Sequence, residues 1–299
     1  MIGVGFLLLK TSQSVQEVSI DYTDCCGNAT HCYCDLSFEV RDGFNNTDVY
    51  MYYVLEGYLQ SHRRFAGSWD EYQQKGKYYK TVDKSCYPFD YEVPGNSSTK
   101  PIAPCGIIAN ALFNDTFSLH SNPVDKTNIK VVQKEIAWST DLAYKYGNPK
   151  DNETWEKWSK PPNWPHPANQ LDHNGLLNET LLVWLRVGAF PKTRKFYGRV
   201  FTRNEDAKNY TEGLLPGNYS LKIEYNYPVK LFCGRKKFVL STTSWFGGKS
   251  DFLGVTYLVV GTLTFLLALF LAVMYKFYGI NQADFMKITR ETPYEYDRN

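Results

Sequence analysis

The chain has 299 residues, with 33 Lys+Arg against 31 Asp+Glu and a formal net charge of +2. So even a balance supplies no global field for nucleic acid or an anionic surface, and the densest basic runs are only Arg63-Arg64 and Arg235-Lys236-Lys237. A mean hydropathy of −0.41 excludes a protein that is mostly bilayer-embedded, and 43% hydrophobic residues exclude a disordered one.

In chain order, residues 1–9 (MIGVGFLLL) come first, an apolar stub too short to span a bilayer. As a signal peptide it lacks a basic n-region and a good cleavage site, and it equally suits the cut end of a longer helix. Strand-like runs follow at 33–40, 49–55, 129–133, 181–187, 219–227 and 229–240. The clearest is 219–225, where Tyr219, Leu221, Ile223 and Tyr225 alternate with Ser220, Lys222 and Glu224. One short soluble helix is expected near 106–113, with Pro104 ahead of it as a start signal. Aromatic residues make up 16% of the chain, 23 of them Tyr, and suit half-buried sheet surfaces. The fold class expected is mainly β: an antiparallel β-sandwich with long, disulfide-tied loops, followed by a C-terminal transmembrane helix.

That last helix is residues 252–275, 24 uncharged residues between Asp251 and Lys276. At about 1.5 Å per residue they extend about 36 Å, enough for a hydrocarbon core of about 30 Å. A soluble helix of this length would carry a polar stripe, and this one has none. Gly254 and Gly261 offer small faces for helix contact with a partner in the membrane. Lys and Arg are too evenly placed around the span to orient it. Sequons orient it instead: Asn28, Asn45, Asn96, Asn114, Asn152, Asn178, Asn209 and Asn218 all precede the span. Chance would give about 2.5 such acceptors. The expected organisation is therefore a glycosylated exoplasmic region at 10–251, a span at 252–275 and a cytosolic tail at 276–299.

Six of the seven cysteines precede residue 106: Cys25, Cys26, Cys32 and Cys34 in one cluster, then Cys86 and Cys105. Adjacent Cys25-Cys26 and the tight Cys32-Tyr33-Cys34 do not fit zinc-ligand spacing. Disulfides in an oxidising lumen fit better, although spacing alone leaves the connectivity open. Cys233 is left over. No HExxH, GxSxG, P-loop or GxGxxG is present, and the five histidines are scattered. Nothing in these patterns argues for catalysis, a metal or a cofactor.

Several stretches together resemble the cell cycle control protein 50 / transmembrane protein 30 family. They are residues 17–23 (EVSIDYT), 52–65 (YYVLEGYLQSHRRF), 100–116 (KPIAPCGIIANALFNDT), 136–141 (IAWSTD), 225–229 (YNYPV) and 234–261 (GRKKFVLSTTSWFGGKSDFLGVTYLVVG). They are dispersed over nearly the whole chain. The resemblance implies a non-catalytic accessory (β) subunit of a type IV P-type ATPase, a phospholipid flippase. It implies a heterodimer with the ATPase α-subunit and contact with membrane lipid, without nucleic acid. Residence would be in the endoplasmic reticulum, Golgi, secretory vesicles and plasma membrane. It further implies the pairs Cys25–Cys34, Cys26–Cys32 and Cys86–Cys105, and an acceptor at Asn114. By the same resemblance residues 1–9 are the exoplasmic end of a truncated first span. The rival expectation is an independent cell-surface receptor or adhesion ectodomain on a single anchor.

Overall fold

A computed structural model of the chain describes residues 1–27, 29–41, 43–44, 48–121, 127–171, 174–200 and 213–279. The elements in order are α1 (Ile2–Gln13), β1 (Glu17–Asp21), β2 (Cys32–Val40), β3 (Val49–Glu56), α2 (Arg63–Ala66), α3 (Glu71–Gln74), α4 (Ile107–Asn110), β4 (Thr116–Ser121), β5 (Thr127–Ile129), β6 (Val131–Val132), α5 (Asn152–Lys157), α6 (Glu179–Leu185), β7 (Lys192–Val200), β8 (Gly217–Tyr225), β9 (Arg235–Ser241) and α7 (Asp251–Tyr278). They form two compact units. One joins Met1–Val15 to the chain from Ser244 onward, and the other is Gln16–Thr243.

In the larger unit all strand pairs are antiparallel and make two sheets, ordered β1-β9-β3-β7-β6 and β2-β8-β4-β5. Alternation along each strand sends one face inward. Val49, Met51, Tyr53 and Leu55 of β3 join Phe238 and Leu240 of β9. From the other sheet Phe117, Leu119, Leu221 and Ile223 enter the same core, so the sheets form a sandwich. A second cluster gathers Trp158, Trp164, Leu176 and Leu181 under the loops. A third surrounds Cys86 and Cys105 with Val82 and Tyr91.

Three strand expectations change. Residues 181–187 are not a strand: α6 covers Glu179–Leu185 and buries Leu181, Leu182 and Trp184, a helical spacing. Asn178 starts it, its Oδ1 accepting the Leu181 N–H at 2.9 Å. The run at 229–240 becomes a strand only from Arg235, after a 3-10 turn at Lys230–Phe232. The run at 129–133 divides between β5 and β6. The helix expected near 106–113 shortens to Ile107–Asn110, and short helices also form at α2, α3 and α5. Strands β1, β4 and β7 were not anticipated.

In the smaller unit α1 and α7 run antiparallel. Gly254 lies against Leu9, Gly5 against Leu258 and Gly261 against Ile2. A Cβ on Gly254 would stand 2.9 Å from Leu9 N, and one on Gly5 2.9 Å from Leu258 N, so only hydrogen lets the backbones approach this far. Ser12 Oγ locks one end, donating to Asp251 Oδ1 at 2.6 Å and accepting the Ser250 N–H at 2.9 Å. α7 is long and apolar enough to cross a membrane. It exposes Leu263, Phe265, Leu267 and Phe270, while Gly254 and Gly261 are buried.

Candidate functional site

β9 carries Lys236 in phase with Phe238 and Leu240, which drives a lysine into the core. Its side chain is 0% exposed, as is that of Asp115, the residue just ahead of β4. Nζ donates to Asp115 Oδ2 at 2.6 Å and to Tyr227 O at 2.7 Å, and lies 3.1 Å from the centre of the Tyr225 ring. Asp115 Oδ2 also accepts the Tyr22 hydroxyl at 2.9 Å. Its Oδ1 accepts the N–H groups of Asn226 at 2.6 Å and Tyr227 at 2.7 Å. The Lys236 N–H donates to Thr23 Oγ1 at 2.8 Å.

Burial lowers the Lys236 ammonium to about 8, against the opposing pull of Asp115. Burial first, and then the Asp115 charge, raise the Tyr22 phenol. The carboxylate and the ammonium spend their hydrogen bonds on groups of the same knot, which makes it a clasp rather than a proton-transfer centre. Three regions that are remote in sequence meet here: Tyr22-Thr23, Asp115, and the segment that runs from Asn226-Tyr227 to Lys236. Neither ion stands out in the sequence, although a lysine at an inward strand position is the available signal.

Beside the clasp the chain folds back through two disulfides, Cys25–Cys34 and Cys26–Cys32. Cys26, Cys32 and Cys34 sulfurs lie within 4.8 Å of one another. All three are bonded as disulfides, so they offer no thiolate to a metal. Cys86–Cys105 lies in the third cluster, and Cys233 is free and exposed.

A second feature is the segment around Trp138. The Glu179 carboxylate accepts the N–H groups of Glu135, Ile136 and Ala137 at 3.0, 2.7 and 3.0 Å. Arg186 grips Asp141 through Nε and Nη2 at 2.6 and 3.1 Å, with its guanidinium 5.0 Å from the Trp138 ring centre. Trp138 is nevertheless 64% exposed, at the rim of a cavity of about 300 Å³ lined also by Ile136, Arg186 and Val187. Nearby, Lys195 is buried and donates to the carbonyls of Val183, Trp184 and Arg186, closing the C-terminus of α6. Burial, then the Arg186 charge, lower it to about 8.

Of the sequons, Asn28, Asn45 and Asn209 lie outside the described residues. Asn96, Asn114, Asn152 and Asn218 are exposed. Asn178 differs: it is 5% exposed, with its Oδ1 accepting from Leu181 N and Thr180 Oγ1 as the cap of α6. Gly254 and Gly261, expected to face a partner in the membrane, are covered by the chain's own α1, because the close approach of that helix fills the space over them. Ahead of α7, Trp245 and Phe246 are exposed on a tight turn closed by Ser244 and Gly247. Such aromatics suit a membrane–water interface.

The description "LEM3 (ligand-effect modulator 3) family / CDC50 family" matches residues 8–280. The chain is 39% identical to cell cycle control protein 50A of Bos taurus, over 91% of this chain and 79% of that protein. It is 38% identical to cell cycle control protein 50C of Macaca fascicularis, over 88% and 80%. It is 35% identical to ALA-interacting subunit 3 of Arabidopsis thaliana, over 92% and 76%.

Proposed function

The chain belongs to the LEM3/CDC50 family, and from that premise we propose that it is the non-catalytic accessory subunit of a type IV P-type ATPase. It assists the folding of the α-subunit, its export from the endoplasmic reticulum and its transport cycle, and so supports aminophospholipid asymmetry. ATP hydrolysis and the lipid path belong to the α-subunit. The observation that carries this reading is the family match over 8–280, which runs through both the helical pair and the β unit. The Arabidopsis relative is itself named an interacting subunit.

In this reading residues 10–251 are exoplasmic, α7 spans the bilayer and 276–299 is cytosolic. Trp245 and Phe246 rest at the exoplasmic headgroup level. The exposed apolar faces of α7, rather than Gly254 and Gly261, meet the α-subunit's helices. Trp138, held rigidly by Glu179 and Arg186, is a preorganised aromatic contact for its exoplasmic loops. Glycans occupy exposed sequons such as Asn96, Asn114, Asn152 and Asn218, while Asn178 remains a helix cap. The work of the subunit extends from the endoplasmic reticulum through the Golgi and secretory vesicles to the plasma membrane.

Affinity capture of the tagged chain from mild detergent tests the partnership. A P-type ATPase should co-purify in near-equal amount. Purification of the folded, glycosylated chain alone, from cells that express such an ATPase, would favour an independent surface receptor.

A further inference from the structure

Trp155 and Trp158 stand three residues apart, in Trp155-Glu156-Lys157-Trp158. Trp-x-x-Trp is the acceptor pattern of lumenal C-mannosyltransferases, which attach a mannose to the indole of the first Trp. With 7 Trp in 299 residues, chance gives such a pair in about one chain in seven, so spacing alone does not make a site.

The structure adds a second observation. Trp155 lies in α5, half-buried. Its Cη2 and Cζ2 come within 3.0 and 3.1 Å of where a Cβ on Gly175 would stand. Cδ1, the carbon that C-mannosylation uses, is at the opposite end of the ring system. Trp158 packs edge-on against Trp155, with ring centres 5.5 Å apart and planes at 85°. It is 7% exposed, and its buried Nε1–H has no acceptor among the described residues. Two comparable indoles are satisfied: Trp164 Nε1 donates to Ala109 O at 2.7 Å, and Trp184 Nε1 to Ile108 O at 2.8 Å. A native core seldom leaves such a donor orphaned, and a partner outside the polypeptide is one way to satisfy it.

We propose that Trp155 is C-mannosylated, and that a hydroxyl of the attached mannose supplies the acceptor that Trp158 lacks. The donor is a polyprenyl-phosphate mannose. Trp155 Cδ1 attacks the anomeric carbon, a carbon–carbon bond forms, and the bond from that carbon to the phosphate oxygen breaks. The polyprenyl phosphate leaves with the electron pair. The Cδ1 proton passes to a base of the transferase, which restores the aromatic indole. The proposal rests on the exoplasmic placement of this segment.

The test is tandem mass spectrometry of the full chain, expressed in cells that C-mannosylate a co-expressed Trp-x-x-Trp reporter. The tryptic peptide 151–157 holds Trp155 together with the Asn152 sequon. The expected result is one hexose on Trp155 that survives removal of N-glycans and fragments by cross-ring cleavage. Trp158→Ala should bring that hexose to background. An unmodified Trp155 in chains carrying N-glycans at other sequons would overturn the inference and leave the topology standing. An unmodified Trp155 in chains with no N-glycan at all would overturn both.

Discussion

Leu9, Leu258 and Ile2 reach the backbone of the facing helix at Gly254, Gly5 and Gly261, whereas in the β unit Asp115 and Lys236 meet as buried charges between strands. The helical pair is thus held by missing side chains. Lipid tails are as apolar as leucine, so in a membrane closeness and dispersion do most of the holding along such a seam, with the Ser12–Asp251 hydrogen bond pinning one end. The β unit is held by side chains that would be ruinous if unpaired. The lesson is that substitutions should act with opposite logic in the two regions. Added atoms break the first, and removed atoms break the second.

The largest effect is expected at the clasp. Asp115→Ala strands the Lys236 ammonium, the Tyr22 hydroxyl and two N–H groups, and should cost about 3–5 kcal/mol in denaturant unfolding. Asp115→Asn combined with Lys236→Met keeps an acceptor for the backbone and removes the charge, so it should recover much of that loss. A double variant no better than Asp115→Ala would show that the ion pair is not the organising feature.

Next come the disulfides. Cys86 and Cys105 close a loop of 19 residues' separation, and their removal should cost about 3 kcal/mol in the chain-entropy model. Cys26–Cys32, with a separation of 6, should cost about 1 kcal/mol less. Normal export of Cys86→Ser beside a retained Cys26→Ser would reverse that order.

In the helical pair, Gly254→Leu overpacks the seam and should cost about 1–3 kcal/mol. Cross-linking between cysteines placed in α1 and α7 reads the loss of contact. Gly3→Leu is the control, because nothing lies within 4 Å of its would-be Cβ. Equal cross-linking in both variants would remove the distinction between the two regions.

The last effect is pH-dependent. Lys195 is lowered in the folded state from 10.5 to about 8, so above pH 8 the unfolded chain binds more protons than the folded one. Lys236, lowered likewise to about 8, acts in the same sense, so stability should rise between about pH 8 and pH 10, and Lys195→Met should remove about half of the rise. Above that range Tyr22 and Tyr53, whose phenols burial raises, act in the opposite sense. An unchanged profile in Lys195→Met would mean that its carbonyl partners hold the ammonium fully charged.

Legibility in the sequence followed the same division. β8 was readable because Leu221, Ile223 and Tyr225 alternate with polar residues. β7 was not, because Lys195 occupies an inward position and charged neighbours hide the phase. α6 was mistaken for a strand because its apolar run is short and its start signal, Asn178, also reads as a sequon. The glycines of α7 were visible as small faces, but no local pattern says whether α1 or another chain covers them. Asp115 stands 93 positions from Tyr22 and 121 from Lys236, and Thr23 stands 213 from Lys236, so these partners were invisible to spacing, although Lys236 alone announced that a carboxylate was needed.

We propose that this chain serves a phospholipid-transporting ATPase. The most direct measurement is rescue in cells stripped of their own accessory subunits, scoring both ATPase export and inward movement of a labelled aminophospholipid. The chain should restore both, and Asp115→Ala should restore neither. A folded, glycosylated chain that reaches the surface while the ATPase stays in the endoplasmic reticulum and the lipid stays outside would contradict it.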